Sequence, residues 1–247
     1  MSTQALFLAW QDRDSSRKWF PIGRLDADVE HSQYRFRYTG GAERAQQEAG
    51  FLPTIDFPDL QKDYHSPELF PLFKNRVIAP KRPDRADYLR YLDLQENASP
   101  VEILSASGGH RVTDSFEVFP KITKRDDGSF LCRFFLHGWR YVNKVAQERI
   151  ESLQPDDPLY VTLELTNPAT RLAVQLQTLD YHMIGWAPRY LVADLAQAMA
   201  EAPEKYAARV VRINPLPPPS RQRLLIELMG HCAHEPMSGP DFKPLVS

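Results

Sequence analysis

The chain has 247 residues, 43% hydrophobic and 25% charged, with a formal net charge of −2 at pH 7. A mean hydropathy of −0.45 and the lack of any apolar run of about 18 residues exclude a transmembrane helix. Two cysteines, Cys132 and Cys232, exclude a disulfide framework and fit a reducing, cytoplasmic compartment. The slightly acidic balance argues against sequence-blind coating of nucleic acid, which needs Lys and Arg to neutralise phosphate. It leaves room for recognition of a strand end or a short single strand by a few aromatics and arginines.

Nothing at the N-terminus pairs a basic region with an apolar core, so no signal peptide is expected. The 21 prolines cut the chain into short elements. Residues 5–10 and 19–25 read as strands joined by a polar turn. Tyr34-Arg35-Phe36-Arg37-Tyr38 alternates aromatic and arginine, which predicts a strand with one apolar and one wet face. Residues 40–50 are small and polar, with room for a helical turn. Ser66-Pro67 predicts a short helix over 66–73, since Ser caps and Pro suits the first helical position. Helices are predicted within 83–96 and from Ser99-Pro100, followed by a glycine-containing loop over 105–113 and a strand over 116–119.

The charged stretch 121–129 ends in Asp127-Gly128 and reads as a tight hairpin turn or a linker; the domain boundary is placed there. Strands follow at 130–139, 159–165, 172–176 and 183–186, with a helical turn in 143–153 and a helix over 189–200. Residues 209–213 and 224–229 supply two last strands, split by the prolines of 215–219, and the tail from Glu235 is expected to be loose. The expected class is α+β, with two domains. One spans 1–122, a small sheet with short helices. The other spans 128–235, a curled sheet or small barrel with one helix.

Several residue groups carry candidate chemistry. Pro188 fits a helix start, where free N–H groups attract phosphate, and it brings Arg189 and Tyr190 there with Trp186 as a base platform; the competing reading is an aromatic cap on the core. Lys74, Arg76, Lys81, Arg82, Arg85 and Arg90 could track phosphates, but Asp84, Asp87 and Asp93 interrupt them, which favours a solvated face laced with ion pairs. Ser107-Gly108-Gly109-His110-Arg111 lacks the Gly-Lys-Ser/Thr ending of a phosphate-binding loop and reads as a turn. His231-Cys232-Ala233-His234-Glu235 has the residue types for zinc without a second ligand pair. Asp156-Asp157 and Glu164 lack the clustered carboxylates of a two-metal nuclease. No hydrolase elbow, zinc-protease helix or dinucleotide fingerprint occurs, so no catalytic residue, metal or cofactor is expected.

Three separated elements, Gly138-Trp139-Arg140-Tyr141, Asn167-Pro168 with Ala173, and Ile184-Gly185 with Pro188, resemble the pattern of the HIRAN family over about residues 130–213. That domain occurs in DNA-repair and chromatin-remodelling helicases and in bacterial proteins. The resemblance implies an OB-like β-barrel that binds single-stranded DNA, in one studied member at a free 3′ end. It implies that Arg140 contacts phosphate, that Tyr141 stacks on a terminal nucleotide and that Asn167 shapes the turn lining the pocket. Where the family turn carries an aspartate that accepts a bond from the terminal hydroxyl, this chain has Ala169-Thr170; Thr170 would accept one more weakly, being uncharged.

The first half resembles bacterial proteins in which a HipA-N-like module precedes HIRAN, through Trp10, Pro21-Ile22-Gly23-Arg24-Leu25, Tyr34-Arg35-Phe36 and Leu69-Phe70-Pro71-Leu72-Phe73-Lys74-Asn75-Arg76. The kinase domain that follows such a module elsewhere has no counterpart here. The leading expectation is a non-catalytic accessory protein that binds single-stranded DNA or DNA ends through Arg140, Tyr141, Asn167, Thr170, Trp186, Arg189 and Tyr190. The alternative is an adaptor or regulatory subunit docking on a separately encoded kinase, helicase or nuclease, and a metal-dependent nuclease ranks last.

Overall fold

The computed structural model describes residues 3–216 and 221–247; Pro217, Pro218 and Pro219 of the expected proline break lie outside them. The chain divides into two compact units, one formed by Met1–Lys121 with Met237–Ser247 and the other by Ile122–Pro236.

The first unit opens with strands β1 (Gln4–Gln11), β2 (Trp19–Asp28) and β3 (Gln33–Tyr38), then helix α1 (Gly40–Ala49) and strand β4 (Tyr64–Ser66). Short helices α2 (Pro71–Lys74), α3 (Arg85–Tyr91) and α4 (Pro100–Ser107) lead to β5 (Phe116–Pro120). The sheet is antiparallel, in the order β4-β3-β2-β1-β5. The alternation in β3 does what its pattern predicts. Phe36 and Tyr38 are fully buried, while Arg35 and Arg37 pair with Asp63 and Asp26 on the opposite, polar face, where the Arg37 pair is itself mostly covered.

Aromatic rings fill this core: Phe36 stacks on Phe57 at 3.9 Å, and Tyr38, Tyr64 and Phe73 surround the pair. The buried Tyr38 hydroxyl donates to Phe57 O at 2.8 Å and accepts from Thr54 N at 2.9 Å, so its polar end is satisfied, as a buried tyrosine requires.

Two expectations fail here. Ser66 does not cap a helix at Pro67. It ends β4, and its Oγ accepts from Glu68 N at 3.0 Å in a local turn, so the helix waits for the next proline, Pro71. Nor is the tail from Glu235 loose: Lys243 O accepts from Gly40 N at 2.9 Å, Leu245 N donates to Tyr38 O at 2.9 Å, and Phe242 packs edge-on against Phe7. Ser99 and Glu102 start α4 with a reciprocal capping box.

The second unit begins with the Asp127-Gly128 turn, a tight hairpin in which Arg125 N donates to Ser129 O at 2.8 Å. Its elements are β6 (Ser129–Phe135), α5 (Lys144–Glu151), β7 (Pro158–Asn167), β8 (Arg171–Gln177), β9 (Met183–Trp186), a 3₁₀ turn (Arg189–Leu191), α6 (Val192–Glu201), β10 (Ala207–Ile213) and β11 (Leu224–His231). The antiparallel order is β6-β11-β10-β7-β8-β9. The α+β class holds, but the barrel does not close as a ladder. Among the described residues, β7 meets β10 through two register pairs, and the far edges meet at a single bridge, His137 with Trp186. Two three-stranded halves therefore curl toward each other and are pinned at each end.

Candidate nucleic-acid interface

The bridge that pins the edges also builds the candidate site. His137 and Trp186 exchange two backbone hydrogen bonds of 2.9 Å. Both flanking glycines are needed for this approach. Gly185 has φ +151°, and a Cβ there would lie 2.5 Å from His137 O. Gly138 has φ +73°, and a Cβ there would lie 2.4 Å from the Trp186 indole. The indole thus rests against bare backbone at the start of the Arg140-Tyr141 segment.

That segment is not a strand. β6 ends at Phe135, and after the bridge the chain turns, with Tyr141 N donating to Gly138 O at 2.8 Å. Gln147 of α5 fastens the turn by donating to Arg140 O (3.1 Å) and Val142 O (3.0 Å), and Asn143 caps α5. In a strand Arg140 and Tyr141 would point to opposite faces; in a turn both face solvent. The Arg140 guanidinium lies 5.1 Å over the Trp139 ring, and Tyr141 is 87% exposed.

A hydrogen-bonded cluster holds the other side of the indole. Trp186 Nε1 donates to Glu164 Oε2 at 2.6 Å, and Asn167 Nδ2 donates to the same oxygen at 2.9 Å. Asn167 Oδ1 in turn accepts from Ala169 N, Thr170 N and Thr170 Oγ1, at 3.0 to 3.1 Å. Asn167 therefore shapes the β7–β8 turn, and Thr170 spends its proton inside it. Burial raises the Glu164 carboxyl, but hydrogen bonds from Asn167, Gln175 and Trp186 outweigh that and hold it below the usual glutamate range.

Glu164 is the member that sequence reasoning missed, having been weighed only as a nuclease carboxylate. Its one signal was register. Along β7, Tyr160, Thr162 and Glu164 share a face, and Glu164 stands opposite the small Ala173. Arg189 and Tyr190 follow Trp186 in the 3₁₀ turn, past the buried Ala187 and Pro188, with Arg189 exposed and Tyr190 half-buried.

The remaining candidates stand elsewhere. Asp156 pairs with Arg209 and Asp157 accepts from Gln154 N, so neither joins Glu164. The basic run is ion-paired at Lys74–Glu68, Arg76–Asp114, Arg82–Asp84 and Arg90–Asp87. Gly108 is the left-handed cap of α4, and Gly109 O accepts from the buried Arg76. His231 bonds Asp127 O, and His234 pairs with Glu201. Among the described residues, no group of three or more His, Cys, Asp or Glu is placed to hold a metal ion, and no helix is long and apolar enough to cross a membrane. What the cluster offers is stacking surface, one guanidinium, and a held carboxylate.

The family model of the HIRAN domain matches residues 129–232, most of the second unit. Among solved structures the chain is similar to a protein from Lactobacillus plantarum, at 18% identity over 42% of this chain and all of that one, with a TM-score of 0.33. It is also similar to the HIRAN domain of human HLTF, at 14% identity over 43% of this chain and 79% of that one, with a TM-score of 0.27. No curated protein matches the sequence.

Proposed function

We propose that the HIRAN domain at residues 129–232 makes this chain a non-catalytic binder of single-stranded DNA, with a preference for a strand end. The observation that carries the reading is the meeting, across Gly138, of the solvent-facing Arg140-Tyr141 turn with the Trp186–Glu164–Asn167 cluster. Tyr141 and Trp186 supply faces on which bases stack, each worth about 1–3 kcal/mol. Arg140 leaves the Trp139 ring to meet phosphate in a charge-assisted bond. Arg189 and Tyr190 flank the platform, and Asn167 and Thr170 keep its rim in shape.

Glu164 fills the role left open by Ala169-Thr170. An ionised carboxylate has about four lone-pair positions, and the donors from Asn167, Gln175 and Trp186 leave room for one more, a terminal hydroxyl. The test is fluorescence anisotropy on three labelled DNAs across a salt series: a single strand with a 3′-hydroxyl, the same strand with a 3′-phosphate, and a duplex. The expected order is hydroxyl end tightest, phosphate end weaker, duplex weakest. Equal affinity for the two ends removes Glu164 from its role. No single-strand binding at low salt overturns the reading.

A second reading gives the first unit, with its HipA-N-like resemblance, a docking role toward a protein partner in the cytoplasm. It is favoured by Leu52 and Ile55, 79% and 98% exposed in the segment after α1. Co-purification of a stoichiometric partner, abolished by L52S/I55S, is its expected signature.

A further inference from the structure

The face of β7 that carries Glu164 continues away from the Trp186 cluster and ends in a second pair of aromatic rings. Tyr160 on β7 and Tyr181 in the β8–β9 turn stack on each other at 5.4 Å and 20°, yet remain 42% and 75% exposed. Register places the intervening side chains on the same face: Tyr160 opposite Gln177, Thr162 opposite Gln175, and Gln175 opposite Trp186. Gln177 Nε2 donates to Thr162 Oγ1 (3.2 Å) and Gln175 Oε1 (3.1 Å), and Gln175 reaches Glu164. The strip is therefore a ladder of neutral amides and a hydroxyl, with an aromatic platform at each end.

Tyr181 is costly where it stands. Its φ is +65°, a region in which an L side chain is disfavoured by roughly 1 kcal/mol and which glycine would occupy freely. Three-quarters of the residue is in solvent, so core packing does not offset that cost. The turn nevertheless holds it firmly. Tyr181 N donates to Thr178 O (2.9 Å), Thr178 N donates to His182 O (3.0 Å), and Asp180 is clasped by Arg149 at 3.0 Å. Backbone strain retained under an outward-facing aromatic is a pattern of ligand-contacting positions.

We propose that the Tyr160–Tyr181 pair is a second base-stacking platform, and that a single DNA strand seated at the Trp186 cluster runs along the amide strip to reach it. The inference rests on the single-strand reading of the Trp186 site. Tyr160 and Glu164 are four strand residues apart, about 13 Å. That is several times the ~3.4 Å between stacked neighbours in a duplex strand, so one nucleotide cannot occupy both ends. The strip carries no charged side chain between Tyr160 and Glu164 on β7, and stacking tolerates any base. The occupant is accordingly a strand of mixed sequence rather than one particular base.

The experiment measures binding of the full chain to thymidine oligonucleotides with free 3′-hydroxyls, two, four, six and eight residues long. Wild-type affinity is expected to climb with length and then level off. Y181G, which suits the left-handed backbone and so keeps the fold, and Y160S are each expected to lower affinity for the eight-residue strand about tenfold while leaving the two-residue strand within about twofold. W186A is expected to weaken every length. Equal losses at all lengths, no loss at any, or a wild-type affinity that does not change with length overturns the second platform alone. Absence of wild-type binding at every length overturns the Trp186 site and the platform together.

Discussion

The two units differ in the aromatic residues they leave outside the core. In the first, Phe36, Tyr38, Phe57 and Phe73 are fully buried against one another, and Phe7 and Phe20 are buried against Phe119 and Trp10. In the second, Phe130, Phe134 and Phe135 are buried too, but Tyr141, Tyr160 and Tyr181 stand in solvent, and Trp186 is half-covered with its N–H tied to a carboxylate. Enrichment in aromatic rings thus says little about function. What separates a core ring from an exposed one is whether local backbone turns it outward and a polar framework keeps it there.

The contrast can be broken from either side. F36A is expected to cost the first unit about 3–5 kcal/mol, seen as a lower denaturant midpoint, because the ring lies within 6.5 Å of four other aromatic rings. Full single-strand affinity in folded F36A protein would show that the two uses of aromatics are independent. G138A is expected to cost about 1–2 kcal/mol from its left-handed backbone and, by pushing the indole away, to weaken DNA binding at least tenfold. Y141A should leave stability within about 0.5 kcal/mol and remove about 1–3 kcal/mol of single-strand affinity. If instead Y141A unfolds more easily and binds unchanged, the ring belongs with those of the first unit.

The smallest effect is one of pH. Hydrogen bonds from Thr178 and then Arg149 hold the Asp180 carboxyl down at about 2. Its folded value lies below the unfolded value of about 3.9, so its support for the Tyr181 turn is complete above pH 4. That support fades as pH falls from 4 through 2. Tyr181 ring resonances should shift across that window, and D180N should show no such step.

Much of this frame was legible in the sequence. The alternation Tyr34-Arg35-Phe36-Arg37-Tyr38 gave a strand because its period matches the pleat, and Ser99-Pro100 gave α4 because helix starts are local chemistry. The open sheet, by contrast, depends on how many pairs β7 and β10 share, a long-range quantity that no window of residues encodes. The strand expected over 130–139 ends at Phe135, and the turn at Gly138 that follows has no room for a side chain because a tryptophan 48 positions later occupies that space. Glu164 was invisible for a related reason. An isolated glutamate in an alternating strand is unremarkable until register sets Trp186 and Asn167 around it.

Residues 237–247 return to the first unit after the second is complete, binding Gly40 and Tyr38 through Lys243 and Leu245. Domains generally fold as they leave the ribosome, in chain order, yet here that order is reversed at the finish. The second unit can close while its predecessor still lacks a piece. A chain clipped before those residues would keep every strand and helix of the second unit but leave Phe7 of the first uncovered on one side, so the first unit is finished only by residues that follow the second.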